Sequence, residues 1–145
     1  MTRIALVCVK NAGRSQMATA YAERERAARG LEDEVEILSG GTRPADAVHD
    51  EVQEAMAEED FDLGGRMPTS ITTDELEACD VVATMGCSTL DLDTEVDVRD
   101  WALEDPHGKT LERVHEIRED VRRRVIALFD ELESGRDLEP VTEYI

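Results

Sequence analysis

Cysteine, lysine and aromatic residues are all scarce in this chain of 145 residues. There are three cysteines, an odd number with no regular spacing, which excludes a disulfide framework and points to a reducing, cytoplasmic setting. The only lysines are Lys10 and Lys109, and the only aromatic residues are Tyr21, Phe61, Trp101, Phe129 and Tyr144. Apolar runs are short: the first, from Ile4 to Val9, is too brief for a signal peptide or a membrane span. Positive charge is in deficit, with 16 Lys+Arg against 35 Asp+Glu and a net charge of -19. Such a surface excludes a nucleic-acid footprint. The acidic residues are scattered rather than blocked, which fits a solubility adaptation to high salt better than a basic partner. An anionic ligand must then be attracted locally, against the field of the whole molecule.

What is present reads as one α/β domain over residues 1–145. The run Ile4–Val9 has the continuous apolar character of a strand buried on both faces. A helix is expected over Ser15–Gly30, a short strand over Glu34–Leu38, and a loop at Ser39-Gly40-Gly41. Helices follow at Val48–Glu59 and Thr73–Ala78, the second opened by a cap-like Thr-Thr-Asp-Glu. Strands are expected at Asp80–Met85 and Val96–Trp101. Leu111, Val114, Ile117, Val121, Val125, Leu128 and Leu132 then step by threes and fours as one long amphipathic helix, with a tail after Gly135. Alternating strands and helices predict a parallel sheet covered on both faces, a three-layer α/β fold.

The chemistry concentrates where the first strand turns into the first helix, at Cys8-Val9-Lys10-Asn11-Ala12-Gly13-Arg14-Ser15. A cysteine leaves the strand, five residues make a tight loop, and an arginine opens the helix. This places successive backbone N–H groups and a helix N-terminus around one point, where a tetrahedral dianion fits. Arg14 can offer a planar fork to its oxygens. The same field stabilises a thiolate at Cys8, and Ser15 can donate a hydrogen bond to it. Asp105-Pro106 supplies a carboxylic acid on a loop, able to protonate a leaving oxygen. His49, His107 and His115 are scattered, and no Cys/His spacing suits zinc.

The loop C-V-K-N-A-G-R-S-Q-M-A (Cys8 to Ala18) resembles that of the low-molecular-weight protein tyrosine phosphatase superfamily, and more closely its arsenate reductase branch. The resemblance extends through Ser39–Ala45, Asp80–Cys87, the W-x-L-x-D-P-x-G-K stretch Trp101–Lys109, and Ile117-Arg118-Glu119 in the final helix. It implies a four-stranded parallel sheet with flanking helices and no metal. It implies that Cys8 is the nucleophile, that Arg14 binds the oxyanion with the loop Val9 to Ser15, and that Asn11 holds the loop's strained backbone with support from Ser39. Ser15 stabilises the thiolate, Asp105 is the acid/base, and Cys87 is a resolving cysteine. Many reductases of this type carry a third cysteine before a proline soon after the second; Ser88–Leu92 contain none. Cys79 precedes a strand that separates it from Cys87 by roughly 20 Å, so it reads as a buried apolar residue. The route expected is therefore a two-cysteine one, or release by a small thiol or a thioredoxin- or glutaredoxin-type partner.

Two reactions follow from these residues. One is reduction of arsenate at the expense of thiols. The alternative is hydrolysis of phosphotyrosine or a small phosphomonoester through a phosphocysteine. Few aromatics remain to stack on a phenyl ring, which favours a small inorganic oxyanion. A third reading, an anion-binding module without catalysis, leaves the nucleophile and the acid without a purpose.

Overall fold

The computed structural model describes residues 2–85 and 96–144, with side chains through residue 134. Its strands are β1 (Thr2–Cys8), β2 (Val35–Gly41), β3 (Val81–Thr84) and β4 (Asp97–Asp100). Its helices are α1 (Arg14–Ala28), α2 (Asp50–Ala57), α3 (Thr73–Glu77) and α4 (Leu111–Tyr144). The four strands form one sheet in the order β2-β1-β3-β4, and every pairing is parallel. The expected α/β class, sheet and helical layers are all present.

The apolar run of β1 explains its central place. Ile4, Leu6 and Cys8 face one core, with Met17 and Tyr21 of α1, Val52 and Met56 of α2, and Val121 and Val125 of α4. Ala5 and Val7 face the other, with Leu76, Cys79 and Val82. Both sets are buried, as a central parallel strand requires. The layers are unequal: three helices cover one face, while the short α3 and its neighbours cover the other. β4 closes the sheet as a short, largely exposed edge reading Asp-Val-Arg-Asp, a charged edge that resists pairing with another chain.

Two boundaries differ from the sequence expectation. β2 does not end at Leu38 but runs through Ser39-Gly40-Gly41, where Gly41 pairs with Cys8. Glycine here serves close approach rather than a loop. A Cβ on Gly41 would lie 2.6 Å from the Val9 carbonyl oxygen, and one on Gly40 would lie 2.5 Å from Ile71 Cβ. α1 ends as expected, with Gly30 in the left-handed region (φ 66°) just beyond it. α4 continues past Gly135 to Tyr144 instead of giving way to a tail. A helical glycine costs only about 1 kcal/mol, too little to stop an established helix.

No helix of the described residues is long and apolar enough to cross a membrane. The surface arginines gather carboxylates: Arg29 lies 2.9 Å from Glu25, 2.9 Å from Asp130 and 2.6 Å from Glu133, tying α1 to α4. With 35 acidic residues against 16 basic ones, most remaining carboxylates repel one another. Raising salt shortens the screening length from about 10 Å at 0.1 M to about 3 Å at 1 M. The melting temperature is therefore expected to climb by at least about 4 °C between 0.1 M and 2 M KCl. A calorimetric scan that is flat across that range contradicts this reading of the surface.

Candidate active site

Cys8 ends β1 at the carboxyl edge of the sheet, where β2 and β3 flank β1 on opposite sides and the connections diverge. Open α/β sheets bind ligands at such a point. The loop that follows is oriented through its carbonyls. Val9 O accepts from Arg43 N at 2.8 Å, Lys10 O from Ala45 N at 2.9 Å, and Ala12 O from His49 N at 2.9 Å. Asn11 O accepts from Gln16 Nε2 at 3.0 Å. Every described peptide is trans, so each outward carbonyl turns the next N–H the opposite way. The N–H groups of Lys10, Asn11 and Gly13 are thereby directed away from the segment 43–49. That of Asn11 reaches Cys8 Sγ at 3.2 Å. α1 opens at Gly13 with no side-chain cap and no acidic residue in its first turn, which leaves its positive end to a ligand.

Asn11 organises this turn. It is fully buried, and its φ of 52° lies in the left-handed region. Its Nδ2 donates to Ser15 Oγ at 2.7 Å and to Ser39 Oγ at 2.9 Å. Its Oδ1 accepts from Thr69 N at 3.0 Å and Gln16 Nε2 at 3.1 Å. Because Ser15 Oγ accepts from Asn11, its hydroxyl proton is left for Cys8 Sγ, 2.9 Å away. Two donors, one backbone and one hydroxyl, thus face the sulfur.

Arg14 and Asp105 meet over the loop. Arg14 Nη1 donates to Leu103 O at 3.0 Å, and Nη2 lies 3.9 Å from Asp105 Oδ2. Asp105 Oδ1 accepts from the N–H of His107 at 3.0 Å, a local turn that fixes the carboxylate. Trp101 and Leu103 anchor this loop in the core, and the buried Pro106 rests on Gly13, where a Cβ would stand 3.0 Å from Pro106 Cγ. Cys8, Val9, Lys10, Gly13, Arg14, His49 and Asp105 line one cleft of about 390 Å³. None of these is Phe, Tyr or Trp, and the described aromatics Tyr21, Phe61, Trp101 and Phe129 belong to the core.

The fold thus gathers Cys8, Arg14 and Asp105 at the cleft, with Asn11, Ser15 and Ser39 behind the loop. Cys87 lies outside the described residues. Cys79 follows α3 at the opposite end of the sheet, buried, with its thiol bonded to Glu75 O at 3.4 Å. Burial pushes that thiol up, which makes it a poor nucleophile. Sequence reasoning missed Gln16, Thr69 and His49. A buried glutamine beside Ser15 on an otherwise apolar helix face is a signal for Gln16. Thr69 and His49 arrive from loops, and no local pattern marks them.

A parallel α/β sheet with a cysteine and an arginine on one anion-cradling loop defines a class of oxyanion-handling proteins. The match is particular: residues 3–138 fit the model of the low molecular weight phosphotyrosine protein phosphatase family, and the chain belongs to it. A Halobacterium salinarum protein named "Putative arsenate reductase" is 66% identical over 131 residues, covering 90% of this chain and 92% of that one. A glutaredoxin arsenate reductase of Synechocystis is 30% identical over 129 residues, 86% of this chain and 94% of the other. Among solved structures, a thioredoxin-dependent arsenate reductase of Corynebacterium glutamicum superposes with a TM-score of 0.76 at 29% identity, covering 93% of this chain and 63% of that longer one.

The hub role of Asn11 separates from its backbone role by substitution. Asn11→Gly keeps access to the left-handed region but removes the amide. It is expected to lose at least about 2 kcal/mol in denaturant unfolding, because several buried groups lose partners. Asn11→Ala is expected to lose more, since it adds strain. A parent-like stability for Asn11→Gly would contradict the assignment.

Proposed function

We propose that this chain is an arsenate reductase whose Cys8 attacks arsenic held in the loop Val9–Ser15. The observation that carries the reading is the pairing of a sulfur faced by two donors with a cleft too sparse in aromatics to clasp a phenyl ring. The reductases it resembles support the same oxyanion. Backbone N–H groups and Arg14 bind the arsenate oxygens, and the uncapped end of α1 adds its positive field.

The thiolate of Cys8 forms a bond to arsenic as an oxygen departs, and Asp105 provides the proton that lets it leave as water. A second thiol then attacks Cys8 sulfur. The sulfur–sulfur bond forms, the sulfur–arsenic bond breaks, and its electron pair stays on arsenic, now arsenite. The two thiols together lose two electrons. Cys87 is proposed as that second thiol; a small cellular thiol is its alternative. The resulting disulfide is returned to thiols by an external reductant of thioredoxin, glutaredoxin or small-thiol type, in a reducing cytoplasm.

Hydrolysis of a phosphomonoester is the second reading, favoured by Asp105 lining the same cleft as Cys8. There Cys8 would carry the phosphoryl group, Asp105 would protonate the leaving alcohol, and Cys87 would be idle.

Turnover of arsenate with a panel of thiol reductants, and of para-nitrophenyl phosphate, is to be measured in high salt on the parent, Cys8→Ser and Cys87→Ser. Cys8→Ser is expected to abolish both activities, by at least about 10³-fold. Arsenate reduction lost in Cys87→Ser, with the aryl phosphate rate unchanged, is the expected pattern. An aryl phosphate turned over well by both the parent and Cys87→Ser, with no arsenate reduced, would replace the first reading with the second.

A further inference from the structure

The fold brings together two histidines and a glutamate that the sequence keeps apart. His49 precedes α2, Glu51 lies in its first turn, and His107 comes from the loop after β4. The imidazoles stack with ring centroids 4.3 Å apart and planes 29° from parallel. His107 Nδ1 lies 3.4 Å from Glu51 Oε1, and the same oxygen accepts the N–H of Gly108 at 3.1 Å. One donor atom from each of the three side chains lies within 4.8 Å of the other two.

We propose that His49, Glu51 and His107 bind a late first-row divalent cation, zinc above all, and that the ion fastens the Asp105 loop to the start of α2. Two imidazole nitrogens and one carboxylate oxygen form a donor set of the zinc type, with a fourth position open. Magnesium and calcium prefer oxygen alone. Zinc at about 2.0–2.1 Å from each donor holds a tetrahedral set about 3.3 Å apart. Side chains must therefore close by an ångström or so. His107 is 57% exposed and Glu51 27%, so no core residue has to move for that. The hydrogen bond from Gly108 already orients the Glu51 carboxylate, the kind of support metal ligands use. The acidic surface raises the local concentration of divalent cations.

The site sits at the rim of the cleft, because His49 lines it with Cys8 and Asp105. His107 lies two residues from Asp105, so an occupied site restrains the loop that carries the acid. This holds whichever oxyanion Cys8 attacks.

The test is calorimetric titration of zinc chloride, with excess magnesium present to occupy scattered carboxylates. It is run on the parent, on Cys8→Ser, and on Cys8→Ser combined with His107→Asn or with Glu51→Gln. Both added substitutions fall on the surface, and circular dichroism checks their folding. One equivalent is expected in the parent and in Cys8→Ser, weakened at least about tenfold by either added change. Cobalt(II) bound to Cys8→Ser should give a visible spectrum of nitrogen and oxygen ligation, without a thiolate charge-transfer band. Binding that disappears in Cys8→Ser assigns the ion to the thiolate and overturns the proposal. Binding indifferent to His107→Asn and Glu51→Gln, or absent against magnesium, overturns it equally.

Discussion

Everything at the cleft depends on a backbone that turns left-handed at Asn11 and is held there by its own side chain. A residue other than glycine accepts φ 52° only at a cost. The buried amide offsets that cost by joining four partners: Ser15, Ser39, Thr69 and Gln16. The turn then sends loop carbonyls outward to residues 43, 45 and 49, and points the Asn11 N–H at Cys8. The environment of the sulfur is thus a consequence of backbone geometry. Neither Cys8 nor Arg14 could create it alone.

The sheet supplies the frame for this turn. β1 is buried on both faces and ends at Cys8, flanked by β2 and β3. Gly41 at the end of β2 lets that strand close against the loop, because any side chain there would strike Val9 O. Asp105 arrives from elsewhere, on the segment after β4. It is seated by Trp101 and Leu103 in the core, by Pro106 against Gly13, and by the Arg14 bond to Leu103 O. Arg14 therefore has two duties: it faces the cleft and it ties the segment carrying Asp105 to the loop after Cys8. The protein as a whole is strongly acidic, yet the cleft has the positive helix end, Arg14 and Lys10 along one side. The local field there favours an anion in spite of the net charge.

Much of this was legible in the residues. The apolar runs of β1 and β3 marked central strands, because parallel sheets covered on both faces leave no polar alternation to find. Cys8, Arg14 and Asp105 stood out because their residue types carry chemistry and their spacing matches a family loop. Asn11, Ser15 and Ser39 followed from the resemblance, and the geometry brings them together. Other features were hidden for physical reasons. The glycines of β2 look like a loop because close approach and conformational freedom select the same residue. The end of α4 was obscured because one glycine suggests a stop that an established helix ignores. The cluster of His49, Glu51 and His107 joins segments separated by β3 and β4, so no local spacing announces it.

The central claim is that Cys8 is an activated thiolate inside an oxyanion cradle. The direct measurement is alkylation by iodoacetate at neutral pH, followed by peptide mass spectrometry, with and without arsenate or phosphate. The account predicts fast modification of Cys8, slowing at least about tenfold as the oxyanion fills the loop, and little reaction at buried Cys79. Slow or oxyanion-indifferent modification of Cys8 would contradict it.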